Sequence, residues 1–223
     1  MIQIKDIHKE FDNTPILKGI TTEFKRGKTN LVIGQSGSGK TVLLKILLGL
    51  FTPDKGEIYF DGTPFSSMTD DEHRTLRREI GMVFQGSALF DSMSVIENVL
   101  FPMRMLTKLS EAEMIEQAET VIERVNLIDA KNKLPNEISG GMQKRVAIAR
   151  AIVTEPVLLL ADEPTANLDS KTTEELLGLL RDLNQQQGMT IVTATHDPIV
   201  MGYTSRQVAM LDGEIHQDSA SAD

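Results

Sequence analysis

The eight residues Gly34-Gln35-Ser36-Gly37-Ser38-Gly39-Lys40-Thr41 fit the pattern G-x-x-x-x-G-K-[ST] without a mismatch. The pattern commits its surroundings to one local fold. Asn30-Leu31-Val32-Ile33, just before it, is short, apolar and partly β-branched, which predicts a buried strand. Val42 to Leu48, just after it, predicts a helix. The glycines open backbone geometries closed to other residues and clear side chains from the path of an anion. The loop's N–H groups and the helix dipole then face that anion. In this setting Lys40 is expected to reach the β- and γ-phosphates of a nucleoside triphosphate, and the Thr41 hydroxyl to ligate Mg²⁺.

Composition narrows the class. With 223 residues the chain is long enough for one large domain, or a domain with an inserted subdomain. A net charge of −9 argues against nucleic acid as the main partner. Zero cysteines exclude disulfides and thiolate metal sites. No stretch approaches the roughly 18 apolar residues of a membrane span. The start, Met1-Ile2-Gln3-Ile4-Lys5, alternates like a strand and does not resemble a signal peptide. A soluble cytoplasmic protein is expected, one that reaches a membrane only through another subunit.

Along the chain, Ile2 and Ile4 mark one antiparallel strand and Ile20 to Phe24 another, followed by a turn at Lys25-Arg26-Gly27-Lys28. Gly56 to Gly62 reads as a strand ending in an Asp-Gly turn, and Ile80 to Phe84 as a strand ending at Gln85. From about 86 to 135 the pattern is helical. Ser110 and Glu113 form a capping box, and Met114, Ala118, Val121, Ile122 and Val125 follow at core-facing spacing. A helix is expected over Gln143–Val153, a buried strand over Val157–Leu160, a helix over about 171–187, and a strand over Thr190–Thr195. A hairpin turned by Asp212-Gly213 closes the pattern, and Asp218 to Asp223 reads as a disordered tail. Strands alternating with helices predict a mostly parallel sheet, so the fold class is α/β with antiparallel strands at the start.

Two further motifs carry chemistry. Leu158-Leu159-Leu160-Ala161-Asp162-Glu163 is an apolar strand ending in two acids. Asp162 can hold Mg²⁺ through water, and Glu163 can orient or deprotonate the attacking water. Ile138-Ser139-Gly140-Gly141-Met142 precedes a helix and offers a second anion site in Ser139, Gly140 and Gly141. One P-loop binds one nucleotide, so two phosphate-type sites predict a head-to-tail homodimer with each nucleotide between the two copies.

The chain, over nearly its whole length, resembles the ATP-binding-cassette ATPases, whose motifs occur here in the family's order. Gln85 matches the Q-loop glutamine, Ser139-Gly140-Gly141 the signature, Asn167-Leu168-Asp169 the D-loop and His196 the switch histidine. Phe11 sits where the family has an aromatic that stacks on adenine. The resemblance implies that ATP and Mg²⁺ are the cofactors, that Gln85 helps ligate the metal and senses a membrane permease, and that His196 contacts the γ-phosphate. It also implies a nucleotide-binding core with an antiparallel β subdomain over 1–85 and 157–223, and a helical subdomain over 86–156. In the signature, Ile138 and Met142 replace the usual Leu and Gln.

Residues up to about 155, through the P-loop, Phe84 to Val95 and Ile138 to Arg145, resemble the ATPases of Mla/Mce-type phospholipid transporters. From about 156, Leu158 to Asp169 with Thr195-His196-Asp197-Pro198 is similar to lipoprotein-releasing and macrolide-export ATPases. Natural divergence, recombination and a laboratory chimera all produce such a mixture. The implied function is an ATPase subunit powering movement of a lipid-type cargo, phospholipid first, through a separate permease at the inner face of the cell membrane. The alternatives are a cassette ATPase of cell-division type and a hybrid that holds ATP without a natural transport role.

Overall fold

The computed structural model describes residues 1–202, 204 and 206–219. Strands β1 (Ile2–Phe11), β2 (Thr14–Phe24), β4 (Lys55–Phe60) and β5 (Thr63–Pro64) form an antiparallel sheet in the order β2-β1-β4-β5. The second sheet contains β3 (Thr29–Ile33), β6 (Ile80–Val83), β7 (Leu158–Asp162), β8 (Thr190–Thr195), β9 (Arg206–Leu211) and β10 (Glu214–Ser219), in the order β10-β9-β3-β8-β7-β6. All its pairings are parallel except β9 with β10. The helices are α1 (Lys40–Leu47), α2 (Asp70–Arg78), α3 (Val95–Leu106), α4 (Glu111–Arg124), α5 (Gly140–Ile152), α6 (Ser170–Gln187) and α7 (Pro198–Met201).

The period-2 alternation of the central strands feeds two cores. Leu31, Leu159 and Ile191 point into a core shared with α3, α4, α5 and α6. Val32, Leu160 and Val192 point the other way, into a core closed by α1 and the antiparallel sheet. A strand buried on both faces reads as a near-continuous apolar run, as Leu158 to Ala161 of β7 does, while β8 also buries Thr193 and Thr195. The layers also need one close approach. A Cβ on Gly81 of β6 would collide with the carbonyl oxygen of Ala151 on α5.

Three readings change. Helix α2, absent from the sequence-based reading, is capped by Thr69 and Glu72 in a complete capping box, with acids in its first turn and arginines in its last. The helix expected from Gln143 starts at Gly140, because Ser139 caps it by accepting from the Met142 N–H at 3.3 Å. Asp218 and Ser219, expected in a disordered tail, are strand residues. Asp218 accepts from buried Arg206 at 3.0 Å and from the Thr22 hydroxyl at 2.8 Å, which ties β10 to β9 and β2. The rest of the expected tail, 220–223, lies outside the described residues.

Gly81→Ala is expected to cost about 1–3 kcal/mol by overpacking, a fall of roughly 2–12 °C in Tm for a chain of this size. Gly178 of α6 has nothing within 4 Å of its would-be Cβ. Gly178→Ala should therefore raise the melting temperature slightly, since alanine suits a helix interior better. Thermal melts of both variants test this pair, and equal effects would remove the Gly81–Ala151 contact as the cause.

Candidate nucleotide site

The C-terminal ends of β3, β8, β7 and β6 lie side by side, and each leads directly into a motif. β3 runs into the P-loop, β8 into His196, β7 ends at Asp162 before Glu163, and β6 is followed by Gln85. Ligands of parallel α/β sheets bind outside this edge.

The P-loop is held by its backbone. Gly37 and Gly39 adopt φ of +84° and +100°, the left-handed region that suits glycine. Gly34 has no room for a side chain, because a Cβ there would strike the Met210 carbonyl and the Ser38 hydroxyl. Lys40 is 6% exposed, and its Nζ donates to the carbonyls of Gly34 at 2.7 Å and Gln35 at 3.0 Å. The ammonium is thus aimed into the loop's interior. Ser38 is 4% exposed and its hydroxyl has no partner. An orphaned buried hydroxyl is unusual. Here it lies in the same loop as open space at Gly37 and a buried cation, so the residues present fit a phosphate group.

The acids approach from the next strands. The Thr41 hydroxyl donates to Asp162 Oδ1 at 3.1 Å, so two hard oxygen donors meet from α1 and β7. Such donors suit Mg²⁺, which takes oxygen ligands and keeps several waters. Glu163 adopts φ of +46° and is 6% exposed. Its Oε2 accepts from the Thr195 hydroxyl at 2.9 Å and its Oε1 from His196 Nδ1 at 2.8 Å. Lys40 Nζ stands 3.6 Å from Oε1. A buried carboxylate is tolerated when it is paired and hydrogen-bonded in this way. Thr195, fully buried, belongs to a segment that carries the family resemblance, but the sequence gives it no role at the site.

The other residues singled out lie farther out. Gln85 is exposed, and its backbone carbonyl accepts from Lys144. Phe11, 39% exposed, packs edge-on against Phe51 with ring centroids 5.3 Å apart. The Ser139 side chain accepts from its own helix, and among the described residues no hydrogen bond joins it to the P-loop. Gly140 has open space where a Cβ would be, whereas a Cβ on Gly141 would come 2.6 Å from the Thr172 methyl of α6. Gly141 is therefore explained by packing, and Gly140 is not. Asp169 caps α6, accepting from the Thr172 N–H at 3.0 Å.

The family model described as ABC transporter matches residues 17–166. The lipoprotein-releasing system ATP-binding protein LolD of Bacteroides thetaiotaomicron is 39% identical over 98% of this chain and all of its own length. The macrolide export ATP-binding/permease protein MacB of Syntrophobacter fumaroxidans is 40% identical over 99% of this chain. The methionine import ATP-binding protein MetN of Rhizobium johnstonii is 38% identical over 95%. This chain spans 32% of MacB and 58% of MetN. Two dimeric structures of one bacterial ABC cassette are 36% identical with TM-scores of 0.91 and 0.90, covering 98% of this chain and 97% of theirs. The second is described as a post-hydrolysis state bound to ADP and Pi.

Burial pushes the Asp162 carboxyl above its ordinary value. The Thr41 hydroxyl, Lys40 and Lys45 oppose the shift, and Glu163 adds to it. An acid whose folded pKa is raised favours its protonated form in the fold. The ionised carboxylate therefore lowers stability at pH above the folded pKa, and that loss fades below the unfolded value of about 3.9. In metal-free buffer, Asp162→Asn should raise the melting temperature at pH 7, with the gain shrinking toward pH 4. A gain independent of pH would dissociate it from this carboxyl.

Proposed function

The chain belongs to the ABC transporter ATPases, and on that premise we propose that it binds and hydrolyses Mg-ATP as a homodimer to power a separate membrane permease. The observation that carries the reading is the meeting of Lys40, Thr41, Asp162 and Glu163 at one sheet edge, with Lys40 Nζ 3.6 Å from Glu163 Oε1. ATP and Mg²⁺ are the cofactors of this family.

In this reading the P-loop from Gly34 to Thr41 cradles the phosphates, and Ser38 finds a phosphate oxygen as its partner. Lys40 exchanges the carbonyls of Gly34 and Gln35 for phosphate oxygens. Thr41 and Asp162, the latter through water, would hold Mg²⁺ with Gln85, and the ion would supply neutralisation of phosphate charge. Glu163 orients the attacking water. It is engaged with Thr195, His196 and Lys40. His196 therefore has to release it and turn to the γ-phosphate, which couples the arrival of nucleotide to the freeing of the base. Phe11 stacks on adenine.

Ser139, Gly140 and Gly141 of a second copy complete each site. The open space at Gly140 and the exposure of Ser139 support this, as does the dimeric state of the related cassette. Residues 1–85 and 157–223 act as the nucleotide-binding core and antiparallel β subdomain, and 86–156 as the helical subdomain that meets the permease.

The relatives' names cover lipoprotein release, macrolide export and methionine import. We take a lipid-type cargo, phospholipid first, because the segment up to about 155 resembles phospholipid-transport ATPases and a lipoprotein-releasing protein matches end to end. Among the described residues no helix is long and apolar enough to cross a membrane. Work at the inner face of the cell membrane then runs through the permease.

Phosphate release from the purified chain with Mg-ATP, over a range of protein concentrations, tests the core of the reading. Specific activity should rise with concentration; a constant value would exclude composite sites. Glu163→Gln should keep ATP binding while turnover falls by about 10²–10⁴, the range for a lost general base, and retained turnover would remove Glu163 from that role. Lys40→Ala should weaken nucleotide binding itself, read by titration with a fluorescent ATP analogue, and unchanged affinity would count against the P-loop assignment.

A further inference from the structure

Helix α5 is capped by Ser139, yet two of its cations are spent on a different motif. Lys144 is 6% exposed, and its Nζ donates to the backbone carbonyl of Gln85. Arg150 donates through Nη2 to the carbonyl of Ser87 at 2.7 Å and through Nη1 to that of Ala88 at 2.6 Å. Three carbonyls within four residues are thus held from one helix.

The gripped segment is unfavourable by itself. Ser87 and Ala88 both adopt left-handed conformations, φ of +61° and +49°, without being glycine. The Ala88 N–H bends back to the Gly86 carbonyl at 2.7 Å, and Ser87 is buried. Such a turn persists only when its surroundings over-determine it. Farther on, fully buried Asn98 of α3 holds the next stretch, accepting from the Phe90 N–H at 2.9 Å and donating to the Met93 and Ser94 carbonyls at 3.0 Å. α3 and α5 share one core. The whole run from Gln85 to Ser94 is fastened to the helical layer.

Lys144 is a costly way to hold a loop. Burial disfavours its ammonium, and among the described residues its hydrogen-bond acceptor is a neutral carbonyl; the fields of Asp162 and Glu163 offset part of that cost. An apolar side chain of similar length would be buried more cheaply. What the ammonium adds is a fixed position for residue 85, set from the helix that carries Ser139.

We infer that Lys144 and Arg150 clamp residues 85–88 onto α5, so that Gln85 and the Ser139 end of that helix move as one body, and that Lys144 is a positioning residue acting on the reaction through Gln85. This rests on the reading of Gln85 as a group of the nucleotide site. Engagement of Ser139 by a second copy's nucleotide then resets Gln85 in the same motion. Information passes from the dimer interface to the metal and permease side without a separate relay.

The clamp and its consequence are tested separately. The chain has no cysteine, and a Cβ at exposed Gly86 meets nothing within 4 Å, so Gly86→Cys takes a nitroxide label cleanly. Lys144→Met should add a mobile component to the label's spectrum, and Lys144→Arg should not; superimposable spectra would overturn the clamp. In ATP turnover, Lys144→Met should lower kcat by about 10–100-fold, the range for partners that orient a ligand. KM for ATP should stay within about twofold, with most of the loss recovered by Lys144→Arg. In a Gln85→Ala background, where the backbone carbonyl remains, Lys144→Met should cost nothing further. Full additivity there would show that the clamp positions nothing. If Gln85→Ala alone left turnover unchanged, the role given to Gln85 would fail, and the positioning claim with it, while the label would still report whether the clamp exists.

Discussion

Strands β3, β7 and β8 are buried on both faces, and that constraint governs the molecule. Their side chains alternate between two cores, so no face is left for chemistry, and the motif residues sit at and just beyond the strand ends. The parallel registers of β3 with β8 and β8 with β7 bring three such ends to one edge. The P-loop, the acids Asp162 and Glu163, and His196 all follow from that alignment.

At the edge, opposite charges are balanced before a ligand arrives. Lys40 lies in the loop among carbonyls and near Glu163, which in turn is held by Thr195 and His196. Neither Lys40 nor Glu163 is therefore a bare buried charge, which would be expensive at this depth. The same pairings occupy the groups to which the proposed function assigns hydrolysis. A nucleotide entering such a site displaces internal partners and does not fill a vacuum.

The parts legible in the sequence are those fixed by local pattern. The P-loop, the strand ending in Asp162 and Glu163, the capping box at Ser110 and the Asp212-Gly213 turn need only their neighbours, and they stand where the spacing puts them. The family model and relatives that match nearly end to end agree with the resemblance carried by those motifs. What could not be read depends on partners far along the chain. Asp218 looked like tail because its reason for order is Arg206 and Thr22. Thr195 looked like any strand residue until β7 delivered Glu163 beside it. Gly141 looked like part of an anion site, and the Thr172 methyl gives it a packing reason that no spacing rule contains. Helix α2 is the exception: Thr69, Glu72 and the end charges were all in view, but its apolar signal is weak because the helix is almost entirely charged.

The Gly81–Ala151 contact has a mechanical meaning beyond packing. It is a point where α5 lies too close to the core sheet for a side chain between them, and it lies at the helix's far end from Ser139. At 1.5 Å per residue, Lys144 is about 10 Å from that contact and Ser139 about 18 Å. A rigid helix rocking there behaves as a lever with its fulcrum at a glycine, with Gln85 held about midway and Ser139 at the tip. A small tilt would carry the tip almost twice as far as the grip on Gln85. In such a tilt, the absence of one side chain at position 81 would set how far each end travels.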